Sequence, residues 1–77
     1  MKLTYDPKYN IAYLRFHEKT NEVETIKISE ELNIDIAPDG TVYGIEMLNA
    51  NEQFKRDDNK NLLVVNESTG QNLKVVL

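Results

Sequence analysis

A chain of 77 residues with a net charge of −4 makes one small domain, and at that size folding buries only about 60% of the unfolded chain's surface. With no cysteine, disulfides and thiolate metal sites are excluded, which leaves self-association to supplement a thin core. No apolar stretch approaches the roughly 20 residues that cross a bilayer, and the start MKLTYDPKYN turns polar too early for a signal peptide, so a cytoplasmic protein with no membrane partner is expected.

KLTY opens as a strand and is closed by Asp6-Pro7, where an Asp carboxylate can accept a backbone N–H and Pro presets φ for a turn. NIAYLRFH then alternates: Ala12, Leu14 and Phe16 fall on one side, Ile11, Tyr13 and Arg15 on the other. HEKTNE is polar and reads as a loop. VETIKIS alternates again, with Ile26 and Ile28 sharing a face, and a short SEE corner leads into Leu32, Ile34 and Ile36.

The next turn, APDG, fixes a register. A two-residue Asp39-Gly40 loop of the primed type, with positive φ at both positions, would pair Ile36 with Tyr43, Ile34 with Ile45, and Leu32 with Met47. A four-residue APDG loop keeps the same parity. An unbulged three-residue loop would set Ile34 opposite Gly44 and scramble the faces, so an even loop is expected. The reverse face then carries Asn33, Asp35, Ala37, Val42, Gly44 and Glu46. Gly44, in mid-strand, predicts a bulge or a gap on that face.

Past Leu48 the alternation stops. Asn49, with Glu52 three positions on, predicts a capped short helix whose Phe54 faces the sheet. KRDDNKN reads as a charged linker. NLLVVNESTGQNLKVVL predicts a final hairpin with a four-residue ESTG loop, setting Val64 opposite Leu73 and Leu62 opposite Val75. Leu63, Val65 and Val76 land on its other face, so both faces are apolar and both want cover. One face is expected to pack on the domain and the other, with Leu63, Val65 and Val76, to form an interface with a second copy.

The fold class is therefore α+β, mainly β: an antiparallel sheet built from hairpins, one short helix after the central hairpin, and a C-terminal hairpin. The whole chain, 1–77, is expected to be a single domain, with a core over 1–54 and a linker and hairpin over 55–77.

LTYDP, AYLRF and DGTVYGIEMLNA, in that order, resemble the small bacterial family known as domain of unknown function 2283. Its members typically show a Tyr-Asp-Pro start, an Ala-x-Tyr-x-Arg strand and an Asp-Gly hairpin ending in Gly-Ile-Glu-Ile-Leu. The resemblance covers about residues 1–54. It departs at Asn10-Ile11, where the family often has an acidic residue, and at the Ala37-Pro38 entry to the turn. It implies no catalytic residue. Some members are expected beside small toxin-like genes, which implies an antitoxin-like role.

The residues themselves limit the chemistry. Nucleic-acid binders need clustered Lys and Arg, and the densest basic group here, Lys55, Arg56 and Lys60, is diluted by Asp57 and Asp58; no direct nucleic-acid partner is expected. The segment from Glu18 to Glu46 holds eight acids (Glu18, Glu22, Glu24, Glu30, Glu31, Asp35, Asp39, Glu46) against Lys19 and Lys27, a charge balance suited to a basic partner protein. His17, the single histidine, has no nucleophile placed beside it by any motif and reads as a surface side chain. No Gly-rich phosphate loop or metal-ligand spacing is present, so no cofactor is expected. Asp35 and Glu46 share a face with Asn33 and are the candidate acidic pair. The expected function is a non-enzymatic protein-interaction module, a homodimer through apolar strand faces or edges. The alternative is a small acid–base or metal-dependent hydrolase using Asp35 and Glu46.

Overall fold

The computed structural model describes residues 1–18, 22–56 and 60–77. Parts of the HEKTNE loop and the KRDDNKN linker lie outside the described residues. The alternating runs become β1 (Lys2–Asp6), β2 (Ile11–Arg15), β3 (Glu24–Ser29), β4 (Leu32–Ile36) and β5 (Val42–Leu48). Helix α1 (Ala50–Lys55) follows, then β6 (Asn61–Val65) and β7 (Asn72–Val76). Five strands form one antiparallel sheet in the order β1-β2-β5-β4-β3, and β6-β7 stand as a separate two-stranded sheet. Among the described residues no helix is long and apolar enough to cross a membrane.

Cross-strand register explains the apolar face. Leu3, Leu14, Ile45, Ile34 and Ile26 line up across all five strands, and Tyr5, Ala12, Met47 and Leu32 form the next row. Opposed residues share a face, so these rows are the core surface. The edges are guarded: β3 carries Lys27 and an extra residue, Ile28, between the Lys27–Asn33 and Ser29–Leu32 pairs, and β1 begins at Lys2. A charged side chain and a bulge both discourage edge-to-edge pairing.

The central hairpin corrects the expected turn. Gly40 N–H donates to Ala37 O (2.9 Å) and Ala37 N–H to Thr41 O (2.8 Å), so the loop is Pro38-Asp39-Gly40. It has three residues, not an even number. Only Gly40 takes positive φ, +91°; Asp39 does not. Pro38 decides this, since its fixed φ suits the second position of a type I turn, which a left-handed glycine then closes. Parity survives because a bulge follows. Ile36 pairs with Val42 rather than Tyr43, and Asp35 pairs with Gly44, leaving Tyr43 as the extra residue. The Tyr43 carbonyl accepts from Phe16 N–H (2.8 Å) and His17 N–H (3.3 Å) instead. Beyond it the expected Ile34–Ile45 and Leu32–Met47 pairs hold.

Asp39 tightens this loop and gives it a pH dependence. Its carboxylate accepts from Thr41 N–H at 2.9 Å. That bond, then the Thr41 hydroxyl, hold the Asp39 carboxyl below its ordinary value of 3.8. A depressed folded pKa adds stability that is present above the unfolded pKa and lost as pH falls through the lower folded value. Asp39→Ala is therefore expected to lower the urea midpoint slightly at pH 7, and the gap from the parent should close once pH drops well below 3.8. A gap that persists at strongly acid pH would assign the effect to something other than the carboxylate.

The β1–β2 turn also forms as expected, with the Asp6 carboxylate accepting from Lys8 N–H (2.9 Å) and Tyr9 N–H (3.3 Å). It has a second task. Asn49 occupies the N-cap of α1 but sits at φ 52° and makes no side-chain cap bond, so the expected Asn49–Glu52 capping box is not formed. The cap comes from Asn10 instead, whose Oδ1 accepts from Asn51 N–H (2.6 Å) and whose carbonyl accepts from Ala50 N–H (3.1 Å). A left-handed Asn49 turns its own side chain out of capping geometry, and its Oδ1 accepts from Asn10 Nδ2 at 3.2 Å. Asn10→Gly keeps the left-handed backbone (φ 62°) without strain but removes the acceptor. Both side-chain bonds of Asn10 go with it, to Asn51 N–H and to Asn49 Oδ1, so a loss of about 1 kcal/mol is expected by thermal melting; Asn10→Asp keeps the acceptor but not the donor and should fall between.

Helix α1 covers one end of the apolar face. Ala50 is fully buried, Phe54 meets the Tyr5 ring edge-on at 5.0 Å, and the Tyr5 hydroxyl bonds Asn51 Oδ1. Gln53 Nε2 donates to Glu31 O (3.0 Å) and Leu48 O (2.5 Å), pinning the helix to the ends of β4 and β5. Phe54 thus faces the sheet as expected.

Candidate functional site

Two regions carry the candidate residues. On the polar face of the sheet, Arg15, Gly44, Asp35 and Thr25 line up across β2, β5, β4 and β3, and Thr4, Tyr13, Glu46, Asn33 and Lys27 form the adjacent row. Asp35 and Glu46 therefore share one face with Asn33, diagonal and opposed, as the register requires. Glu46 Oε1 accepts from Asn33 Nδ2 at 3.0 Å.

Asp35 is not on a water-facing position. It is 6% exposed, with Oδ2 accepting from the Tyr13 hydroxyl (2.7 Å) and Oδ1 from the Thr25 hydroxyl (2.6 Å). Gly44 makes this possible. A Cβ at Gly44 would lie 2.6 Å from Tyr13 Cε1 and 2.5 Å from Cζ, so the ring crosses the backbone of β5 where a side chain would stand. Tyr13 reaches from β2 over β5 to a carboxylate on β4. A buried carboxylate demands hydrogen-bond donors, and here two hydroxyls supply them. The gap expected at Gly44 is real and filled from within the chain.

Arg15 stands at the end of the same row, its guanidinium 3.4 Å from Glu18 and its Nε buried with no hydrogen-bond partner among the described residues. Thr4, Tyr13, Arg15, Thr25, Asp35 and Glu46 line a shallow cleft of about 330 Å³. Among the described residues no group of three or more His, Cys, Asp or Glu side chains could hold a metal ion. His17 is exposed and meets the Tyr43 ring edge-on at 5.8 Å. The partners of Asp35 that alternation alone does not reveal are Tyr13 and Thr25. Their signal is a mid-strand glycine directly between an acid and an arginine, with a tyrosine one diagonal away.

The terminal hairpin is the second region. Its register is the expected one, Leu62 with Val75 and Val64 with Leu73, around Glu67–Gly70. Asn66 N–H donates to Gln71 O (2.8 Å), and Asn66 Oδ1 accepts from Ser68 N–H (3.0 Å). Leu63, Val65 and Val76 are 53%, 51% and 76% exposed. They alternate with Asn61, Asn72 and Lys74 as their cross-strand neighbours. The opposite face is expected from the sequence to pack on the domain, and here the structure differs. Leu62 and Val75 are 38% exposed, and Val64 and Leu73 more so. The hairpin base is anchored by Lys60 N–H to Phe54 O (2.7 Å) and by the Lys60 ammonium 5.7 Å above the Tyr5 ring, and Leu77 N–H closes it on Lys60 O (2.8 Å).

Comparison with curated proteins finds no match, and comparison with solved structures finds none. A comparison with protein families matches residues 2–51, strands β1 to β5 and the start of α1, to Protein of unknown function (DUF2283). The matched stretch holds the Tyr13–Gly44–Asp35 arrangement and leaves the terminal hairpin outside. Covering well over half of the chain, this match places the protein in the DUF2283 family.

Proposed function

We propose that the protein is a non-enzymatic protein-interaction module whose contact element is the hairpin β6–β7. One observation carries this reading: seven of the eleven large apolar side chains exposed on the described surface lie on these two strands. Monomeric proteins rarely leave this much apolar surface uncovered on one element, and such surfaces mark association sites. An antitoxin-like role rests on family resemblance alone. The hydrolase alternative gains no support from geometry, because Asp35 directs both oxygens to Tyr13 and Thr25, and Glu46 binds Asn33.

The test is a triple substitution at the three most exposed apolar side chains of the hairpin, spanning both its faces: Val64→Asn, Leu73→Asn and Val76→Asn. These side chains contribute little to the folded monomer, so the far-UV spectrum and the melting of the five-stranded sheet are expected to stay near those of the parent. Association, read by light scattering and by partner recovery, should weaken on the order of a hundredfold. Unchanged association would sink the reading.

A further inference from the structure

If β6–β7 is the contact element, its occupant is still to be named, and the choice of occupant rests on that proposed function. The chain exposes 5781 Å², whereas a compact protein of 8.9 kDa exposes about 4,800 Å². The excess, roughly 1,000 Å² per chain, slightly exceeds the ~800 Å² per partner of a standard stable interface. The radius of gyration agrees: 14.0 Å against about 11.5 Å for a compact domain of this length. Among the described residues no large side chain is fully buried. Exposed large apolar side chains mark two places where cover is wanting. One is β6–β7. The other is the sheet's apolar face beyond the reach of α1, where Ile26 is 39% exposed.

Charge selects the occupant. The chain carries −4 overall, but residues 61–77 hold just Glu67 and Lys74 and are neutral. A basic partner would be drawn to the acidic segment between Glu18 and Glu46, not to this hairpin. Two copies of an acidic chain repel, and a neutral hairpin can land on the acidic sheet of a second copy without adding to that repulsion.

Area selects the arrangement. Strands of five residues make a hairpin face about 17 Å long and 10 Å wide. Two hairpins stacked on each other share a single footprint of that size, about 170 Å². A reciprocal exchange uses two footprints and covers the open sheet face as well. Its edges do not compete, because Lys27 and the bulge at Ile28 guard β3. We infer that two copies form a two-fold dimer in which the hairpin of each, through Leu62, Val64, Leu73 and Val75, lies on the apolar sheet face of the other near Ile26.

The absence of native cysteine allows a direct test. A Val64→Cys chain and an affinity-tagged Ile26→Cys chain are mixed and treated with a thiol-reactive bismaleimide of about 10 Å reach, matching the spacing of stacked sheets. The expected product is the mixed species, one chain of each kind, from a protein that sediments as a dimer. Raising salt should tighten the dimer by screening like charges. Cross-linking of Val64→Cys chains to one another, with no mixed species, would overturn the exchange and leave the interaction module standing. A strict monomer at millimolar concentration would overturn the dimer. If in addition the triple asparagine variant recovers the same partners as the parent, the module reading falls as well. Salt that weakens association would identify a basic partner and overturn the choice of a second copy.

Discussion

Gly44→Ala is expected to destabilise the protein by about 3 kcal/mol, the upper range for forcing atoms into an occupied site. The added Cβ would sit 2.5 to 2.6 Å from Tyr13 ring carbons, so the ring must leave. When it leaves, the Tyr13 hydroxyl abandons Asp35 Oδ2, and a buried carboxylate loses a donor. A domain of this length has on the order of 4–11 kcal/mol in all, so the melting midpoint should fall by well over about 10 °C. Two controls separate the causes. Gly40→Ala meets nothing within 4 Å and strains only its backbone at φ +91°, which costs about 1 kcal/mol. In a Tyr13→Ala background the clash is gone, so Gly44→Ala should then cost less than about 1 kcal/mol, a coupling of about 2 kcal/mol between the two sites. Equal costs in both backgrounds would mean that the ring does not cross Gly44.

How far the sequence reaches depends on what each element competes with. Strands with clean alternation, such as Leu32 to Ile36, are legible because one face must be buried and a slip of one residue exposes it. The same requirement carries the Ile34–Ile45 register through a turn of a different kind from the one expected. Burial demands the parity, and a three-residue loop plus a bulge at Tyr43 satisfies it as well as an even loop would. Asp-Gly weighed without the preceding Pro38 predicts the wrong turn. The cap of α1 is illegible for a different reason: Asn10 lies far from Asn51 in the chain, and only the pairing of β2 with β5 brings the first turn beside the helix. For the candidate site, alternation places Asp35 and Glu46 on one face but cannot assign burial. That depends on Tyr13 leaning across Gly44, a diagonal contact between three strands. Both faces of β6–β7 are exposed, and the hairpin's own alternation cannot say which face finds cover.

The second large effect belongs to Asp35. Asp35→Ala is expected to lower stability by about 3 kcal/mol, because the hydroxyls of Tyr13 and Thr25 each lose an acceptor at roughly 1–3 kcal/mol, offset in part by no longer burying a charge. Asp35→Asn keeps one acceptor oxygen and turns the other into an amide donor, so one hydroxyl must reverse and accept; about 1 kcal/mol is expected. Tyr13→Phe and Thr25→Val each leave the carboxylate short of one donor, at about 1–2 kcal/mol. If the three groups act as one unit, the Tyr13→Phe and Asp35→Ala costs will not add, and a double-mutant cycle should show a coupling of at least about 1 kcal/mol. This pattern is opposite to that of a reactive acid, for which Asp35→Asn would spare stability and remove an activity. Association through β6–β7 should also be indifferent to Asp35→Asn, since Asp35 bonds Tyr13 and Thr25 within the five-stranded sheet. Chemical unfolding of the four variants therefore decides whether the buried carboxylate holds β2, β5, β4 and β3 together. Additive costs, or an Asp35→Asn variant as stable as the parent, would return Asp35 to the groups kept for chemistry.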